Sequence, residues 1–259
     1  MRLSLFLLFG IFTLLNAKEP KIELGAGLAY LSYPNYVGSK TYNLITLPLP
    51  YLRYRGDFLK YDKDGLTGKI FGINDLKVEL SVAGSLPASS DKGSARDGMP
   101  DLELTGEAGF QFVYNIYEKG VSQLEFEFPL RGVLSTDFSS INYRGLVSNP
   151  QLKYSLKYAH FEWTLRSGVI FGDEEYNSYY YGVDKEYKTA TRSEYKAPSG
   201  FNGFRNRVGV TYKKGNWWAG AFISYIRLDG SVIKESPLVE TQSALYSGAS
   251  LAYIFYTSD

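Results

Sequence analysis

The sequence predicts an all-β fold: a transmembrane antiparallel up-and-down β-barrel of about 12 strands, with 10 as the alternative. Three observations carry this reading: long strands with two unlike faces, an export leader, and turns that alternate between short and long. The first is clearest over residues 101–134. Leu102, Leu104, Ala108, Phe110, Phe112, Tyr114 and Ile116 share one parity, and Glu103, Thr105, Glu107, Gln111 and Asn115 the other. After Glu118-Lys119-Gly120 the alternation restarts, with Leu124, Phe126, Phe128 and Leu130 opposite Gln123, Glu125, Glu127 and Arg131. Period 2 is the mark of a strand with one apolar and one polar face. These runs are longer than the usual strand of roughly 5–6 residues, and their polar face carries full charges. Such a hairpin is either an exposed antiparallel sheet or the wall of a membrane barrel, with lipid outside and a polar lumen inside.

The N-terminus favours the membrane. Met1-Arg2 is followed by the apolar run Leu3–Leu15 and then Asn16-Ala17-Lys18. One positive charge, a short apolar core and a small residue make a secretory signal peptide. The run is shorter than the ~20 residues of a spanning helix. Residues 1–17 are therefore read as the signal peptide, cleaved after Ala17, and 18–259 as a single outer-membrane β-barrel domain. The sequence holds no further apolar run of helix-spanning length, and no Cys, which excludes disulfides and thiol chemistry. Its 28 basic and 27 acidic residues leave no basic excess for nucleic acid. Tyr (23), Phe (16) and Gly (26) are abundant, as in a barrel that needs aromatic girdles and tight packing.

In chain order, Ile22, Leu24, Ala26, Leu28 and Tyr30 alternate with Lys21, Glu23, Gly25 and Gly27, small residues that suit a crowded lumen. Residues 43–55 are apolar on both parities and hold Pro48 and Pro50, so a bent or late-starting strand is expected. Short strands flank Asp62-Lys63-Asp64-Gly65, a hairpin signal. Leu76, Val78, Leu80 and Val82 alternate with Lys77, Glu79 and Ser81, and the 101–134 hairpin follows. The next strands are read at 152–158, 161–171, 205–212, 217–228 and 245–255. Short turns fall at 55–57, 72–75, 118–120, 159–160 and 213–216. Long loops fall at 32–42, 84–100, 135–142, 172–203 and 229–242. The alternation matches short periplasmic turns and long external loops of an outer-membrane barrel, with both termini periplasmic. The expected location is the cell outer membrane of the Gram-negative type, reached through the signal peptide.

This topology sorts the side chains. Lys77, Glu79, Glu103, Glu107, Glu125, Glu127, Arg131, Lys153, Lys157, Glu162, Arg166, Arg205 and Arg207 are expected to face the lumen as a network of ion pairs. Phe110, Phe112, Phe126, Phe128, Leu152, Tyr154, Trp163, Leu251, Tyr253 and Phe255 are expected to face lipid. A selective pore lined by the same charges is the competing reading. The only histidine, His160, falls in a short turn rather than at the external rim, which argues against a hydrolase. No phosphate-cradling glycine loop, HExxH, Cys cluster or EF-hand spacing occurs, so no catalytic residue, cofactor or metal is assigned.

Three further pieces, in this order, carry a resemblance: Pro34-Asn35-Tyr36-Val37-Gly38-Ser39 with Leu47-Pro48-Leu49-Pro50-Tyr51; Tyr176 through Tyr181-Gly182-Val183 with Tyr195-Lys196-Ala197-Pro198-Ser199-Gly200; and Tyr225-Ile226-Arg227-Leu228-Asp229-Gly230 with Glu235-Ser236-Pro237-Leu238-Val239. Together they resemble the MipA/OmpV family of outer-membrane proteins across essentially all of 18–259. The resemblance implies a non-enzymatic envelope protein, either a scaffold contacting a lytic transglycosylase and a murein synthase or a narrow porin-like channel for small solutes. It also implies outer-membrane lipid, lipopolysaccharide and, during biogenesis, the β-barrel assembly machinery as partners.

Overall fold

A computed structural model describes residues 21–56, 58–62, 65–90 and 92–258; the expected signal peptide lies outside them. One antiparallel sheet runs through the whole chain: β1 (Ile22–Pro34), β2 (Tyr42–Arg55), β3 (Leu59–Asp62), β4 (Gly65–Ile73), β5 (Leu76–Ser85), β6 (Leu104–Lys119), β7 (Ser122–Thr136), β8 (Ile141–Ser148), β9 (Gln151–Tyr158), β10 (Phe161–Gly172), β11 (Gly200–Lys214), β12 (Trp217–Arg227) and β13 (Ser243–Thr257). Neighbours in sequence are neighbours in the sheet, and β1 pairs with β13 from Glu23↔Thr257 to Ser32↔Ser247. The sheet thus closes on itself. β8 and β9 pair with different halves of β7 and lie end to end, so the ring has 12 staves rather than 10. Among the described residues no helix is long and apolar enough to cross a membrane; the strands do the crossing.

Three elements differ from the sequence reading. The loop expected at 135–142 shrinks to 137–140, because β7 runs to Thr136 and β8 begins at Ile141. Gly145, at φ 91°, sits where the β7–β8 register shifts, so Tyr143 and Leu146 both point outward and the alternation is out of phase. Pro150 then interrupts the stave. The break is sealed from the side: Val169 N donates to Pro150 O at 3.0 Å and Asn149 Nδ2 to Val169 O at 2.6 Å. The second difference is β2, which runs unbroken through Pro48 and Pro50. Arg55 N donates to Lys21 O at 2.8 Å, which makes the odd-numbered residues of β2 the hydrogen-bonded partners of β1. Both prolines are even-numbered, so neither owes β1 an N–H. The third is the loop at 172–203, which folds into the helix described below.

The staves are unequal. β1, β6, β7, β11 and β13 have 13–16 residues, ample for the roughly 9–11 residues of a tilted membrane strand. β3 has 4 residues, too few to span. It pairs with β2 only at Tyr54↔Tyr61 and Arg55↔Lys60.

The β1–β13 seam is tight. A Cβ on Gly27, opposite Ala252, would collide with the Leu251 carbonyl, whereas one on Gly106 in β6 would meet nothing within 4 Å. Gly27→Val is therefore expected to destabilise the folded barrel by about 1–3 kcal/mol, and Gly106→Val by little. Urea titration of the refolded barrel, read by tryptophan fluorescence, checks both; equal midpoints for the two variants would contradict the tight seam.

Candidate functional site

Inside the ring the side chains of the polar parity meet one another. At the end where the strands join by short turns, the Glu23 carboxylate is completely buried. It accepts from Arg55 Nη1 at 2.7 Å, from Lys213 Nζ at 2.7 Å and from the Tyr51 hydroxyl at 3.1 Å. Lys213 belongs to β11, three staves from β1, so this contact reaches across the interior. A buried carboxylate is tolerable only when paired and hydrogen-bonded, and here three donors meet it.

Further along, Glu125 and Glu127 share Lys153 at 3.4 Å each, and Glu127 also meets Arg166 at 3.6 Å and Gln151 Nε2 at 2.7 Å. Arg131 Nε donates to Glu107 at 2.8 Å and its Nη1 to Ser81 at 3.1 Å. Glu103 is bonded by Ser135 and faces Arg144 Nη2 at 3.5 Å. Arg205 Nη1 donates to Asn149 Oδ1 at 2.9 Å, and the Arg207 guanidinium lies 4.3 Å from the Phe222 ring centre. Lys77, Glu79 and Glu162 are half-buried on the same parity, and Lys157 is exposed at the turn end. The opposite parity presents Phe110, Phe112, Phe126, Phe128, Leu152, Tyr154, Trp163, Leu251, Tyr253 and Phe255, all exposed on the outer surface. Among the described residues no apolar cluster fills the middle of the barrel.

The larger apolar cluster lies at the loop end instead, with a smaller one of Tyr51, Ala252 and Ile254 near the turn end. Residues 173–199 fold into α1 (Glu174–Tyr181) and one 3-10 turn (Lys185–Tyr187). Asp173 caps α1: its Oδ1 accepts from Tyr176 N at 2.8 Å, and its Oδ2 accepts from Leu146 N of β8 at 2.8 Å. One carboxylate thus starts the helix and ties it to the wall. Tyr181, Val183, Ala197, Leu228, Ile233 and Leu238 are buried together with Val133, Val147 and Ile170 from the staves. Burying each of Leu228, Ile233 and Leu238 contributes about 1.5–3 kcal/mol. Hydroxyls stitch the loops: Tyr36 to Leu238 O at 2.7 Å, Tyr181 to Val37 O at 3.1 Å, Tyr195 to Val232 O at 3.0 Å. Arg192 Nη1 reaches Ala95 O and Asp97 O at 2.9 Å, and Arg96 Nη1 reaches Tyr180 O at 3.2 Å. Burial pushes the Tyr176 and Tyr181 phenols well above their ordinary pKa and lowers that of Arg96. The result is a cap over one end of the barrel.

Several of these residues escape a reading of alternation alone. Lys213 stands beside a turn and Arg144 beside a bulge. Glu23 and Lys213 are 190 positions apart. The helix did leave a signal: Asp173 followed by Glu174-Glu175, with no Gly or Pro before Gly182. His160 sits exposed in the two-residue β9–β10 turn, its ring 6.0 Å from that of Tyr212. Among the described residues no cluster of three or more His, Cys, Asp or Glu is placed to hold a metal.

Removing Lys213 leaves the buried Glu23 carboxylate with Arg55 and the Tyr51 hydroxyl but one charged donor fewer. Lys213→Met is expected to cost about 1.5–3 kcal/mol of folding stability. In a Glu23→Gln background the same change should cost less, since Lys213 then faces no charge. A double-mutant cycle on urea midpoints checks this; strictly additive losses would mean that the two side chains do not interact.

The family described as MltA-interacting protein MipA matches residues 24–255. The outer membrane protein Omp26La of Vibrio anguillarum is 26% identical over 214 residues, covering 78% of this chain and 76% of that protein. The outer membrane protein OmpV of Vibrio cholerae serotype O1 is 26% identical over 213 residues, covering 78% and 76%. The MltA-interacting protein of Escherichia coli strain K12 is 25% identical over 236 residues, covering 86% and 85%. The solved structure of the outer membrane protein OprG of Pseudomonas aeruginosa aligns over 91% of this chain and 93% of its own at 10% identity, with a TM-score of 0.26, too distant to carry an argument. None of these names is that of an enzyme. With its closed ring of 12 staves, this chain is an outer-membrane β-barrel and belongs to the MltA-interacting protein MipA family.

Proposed function

We propose that the protein is an occluded, structural barrel that presents its turn end to murein-remodelling enzymes in the periplasm. The observation that supports this most directly is the pair of obstructions in series: the apolar cap at the loop end and the ion pairs that cross the interior below it. A barrel filled in this way serves as an anchor better than as a passage. In this reading the chain is exported by its leader, cut after Ala17, and inserted by the β-barrel assembly machinery. Residues such as Phe110, Phe128 and Leu251 then contact hydrocarbon, and the loop end faces lipopolysaccharide.

The partner class comes from the name of the Escherichia coli relative, an MltA-interacting protein; a lytic transglycosylase, and with it a murein synthase, would be held from the periplasmic side. The turn end offers a surface of the right kind. A cavity of about 220 Å³ opens there, lined by Arg53, Lys157, His160 and Lys213 together with Asp62 and Glu162. Mixed, accessible charge of this sort favours fast, reversible, salt-dependent docking.

Two measurements test the proposal. In planar bilayers the full barrel is expected to show no steady conductance, and deletion of 174–199 to open one. Steady conductance by the full barrel would favour a narrow porin-like channel for small solutes instead, and Arg131→Glu would then shift its ion selectivity. In pull-downs the barrel should retain a lytic transglycosylase above an unrelated barrel. Lys157→Glu with Lys214→Glu, both exposed at the turn end, should weaken retention at least fivefold. Equal retention by the unrelated barrel would remove the scaffold role.

A further inference from the structure

Glu23 is the residue opposite Arg53 in the β1–β2 register, yet it takes its donors from Arg55, Lys213 and Tyr51. Arg53 is left over. Its side chain is half-buried on the inward parity of β2, and its Nε is buried without a hydrogen-bond partner. Among the described residues no carboxylate pairs with it. A guanidinium placed in this way has lost part of its hydration without gaining an acceptor in exchange.

Arg53 lines the turn-end cavity of about 220 Å³, together with four other charged side chains: Asp62, Lys157, Glu162 and Lys213. Lys213 is bonded to Glu23 at 2.7 Å. Asp62 and Glu162 each have an interaction of their own, so neither carboxylate is free. Lys157 is exposed and, like Arg53, has no side-chain ion pair among the described residues. The two uncommitted charges in the lining are therefore both positive. One wall is apolar, formed by the Tyr51 and Trp218 rings with their centres 5.3 Å apart. Pockets for drug-sized ligands run to roughly 300–1,000 Å³. This smaller space takes the end of a chain and excludes a folded surface.

We propose that this cavity receives the C-terminal carboxylate of a partner protein, an inference that rests on reading the turn end as the docking face. The carboxylate sits on the terminal nitrogens of Arg53, and the exposed Lys157 adds attraction. The planar guanidinium can hold both oxygens of a carboxylate, which a point charge cannot. The last side chain of the partner packs on the Trp218 ring. Capture of a chain terminus is a recurring mode of peptide recognition.

The test uses the full barrel refolded in non-ionic detergent and titrated by calorimetry. The probe is the peptide acetyl-Gly-Ser-Gly-Ala-Leu with a free carboxylate; its C-terminal amide is the control. The acid should bind saturably at one site, and the amide at least tenfold more weakly. Arg53→Gln should weaken binding of the acid at least tenfold and Lys157→Gln at least twofold. Lys188→Gln, exposed at the loop end, should not change it. Should Arg53→Gln fail to fold, the unmutated barrel decides: the same peptide with a photoreactive group on its penultimate residue should label 51–53 or 157–162, mapped by mass spectrometry. Equal binding of acid and amide, a folded Arg53→Gln barrel that binds undiminished, or labels outside those segments would overturn the proposal. So would a tenfold preference for the same peptide ending in D-alanyl-D-alanine, which would put a murein stem peptide in place of a protein. No murein enzyme enters these titrations, so the two readings fail separately. Retention of a lytic transglycosylase without peptide binding overturns this site and leaves the scaffold role. Peptide binding without retention supports the site and removes the scaffold role.

Discussion

A sheet placed in hydrocarbon has no water to take up an unpaired N–H or C=O, and each such group costs several kcal/mol. The architecture of this chain follows from that single constraint. Nearest-neighbour pairing around the ring, closed by β1 against β13, satisfies most of the backbone. Where the sequence breaks the rule, a local repair follows. Pro150 interrupts one stave, and Asn149 with Val169 supplies the missing contacts. Pro48 and Pro50 stand only where β1 asks nothing of them. Among the described residues, β2 is left without a second neighbour above the short β3–β4 hairpin, where two donors have been removed by proline.

The same constraint inverts the ordinary distribution of side chains. With the apolar parity outward, the interior has to be filled by the other parity, and charges can be filled in only as partners. The interior therefore reads as a chain of compensated groups, from Glu23 with Arg55 and Lys213 to Glu107 with Arg131. The conventional hydrophobic core is displaced to the loop end, where the tyrosine-rich connections pack on one another and on Val133, Val147 and Ile170. Loops that would otherwise be mobile thereby become part of the fold. Asp173 ties the cap to the wall, since the same carboxylate begins α1 and binds β8.

Much of this was legible in the sequence. The period-2 alternation of 101–134 and the short–long rhythm of connections lead to a barrel of about 12 strands, with 10 left as the alternative, because strand parity is a local property. What the alternation could not show is what depends on contacts distant in sequence or on shifts in register. β8 was hidden by Gly145, whose left-handed backbone throws the parity off, and by Pro150. The cap was hidden because loop packing has no period; only Asp173-Glu174-Glu175 announced its helix. The pairing of Glu23 with Lys213 is a product of closure, and no window of sequence contains both. The unpaired edge of β2 was not visible: Pro48 and Pro50 suggested a bent or late-starting strand, and which side they faced depended on the register with β1.

The account stands on one claim, that the apolar parity meets lipid and the charged parity fills an occluded interior. The chain has no Cys, so single cysteines along β6 and β7 can carry a spin label without interference. Power-saturation measurement of oxygen and of a water-soluble nickel complex at each site, in liposomes, tests the claim most directly. Labels at Phe110, Phe112, Phe126 and Phe128 should be accessible to oxygen, and labels at Gln111 and Glu125 should be shielded from both reagents. Nickel access at Gln111 and Glu125 equal to that of an exposed loop site such as Phe138 would contradict it.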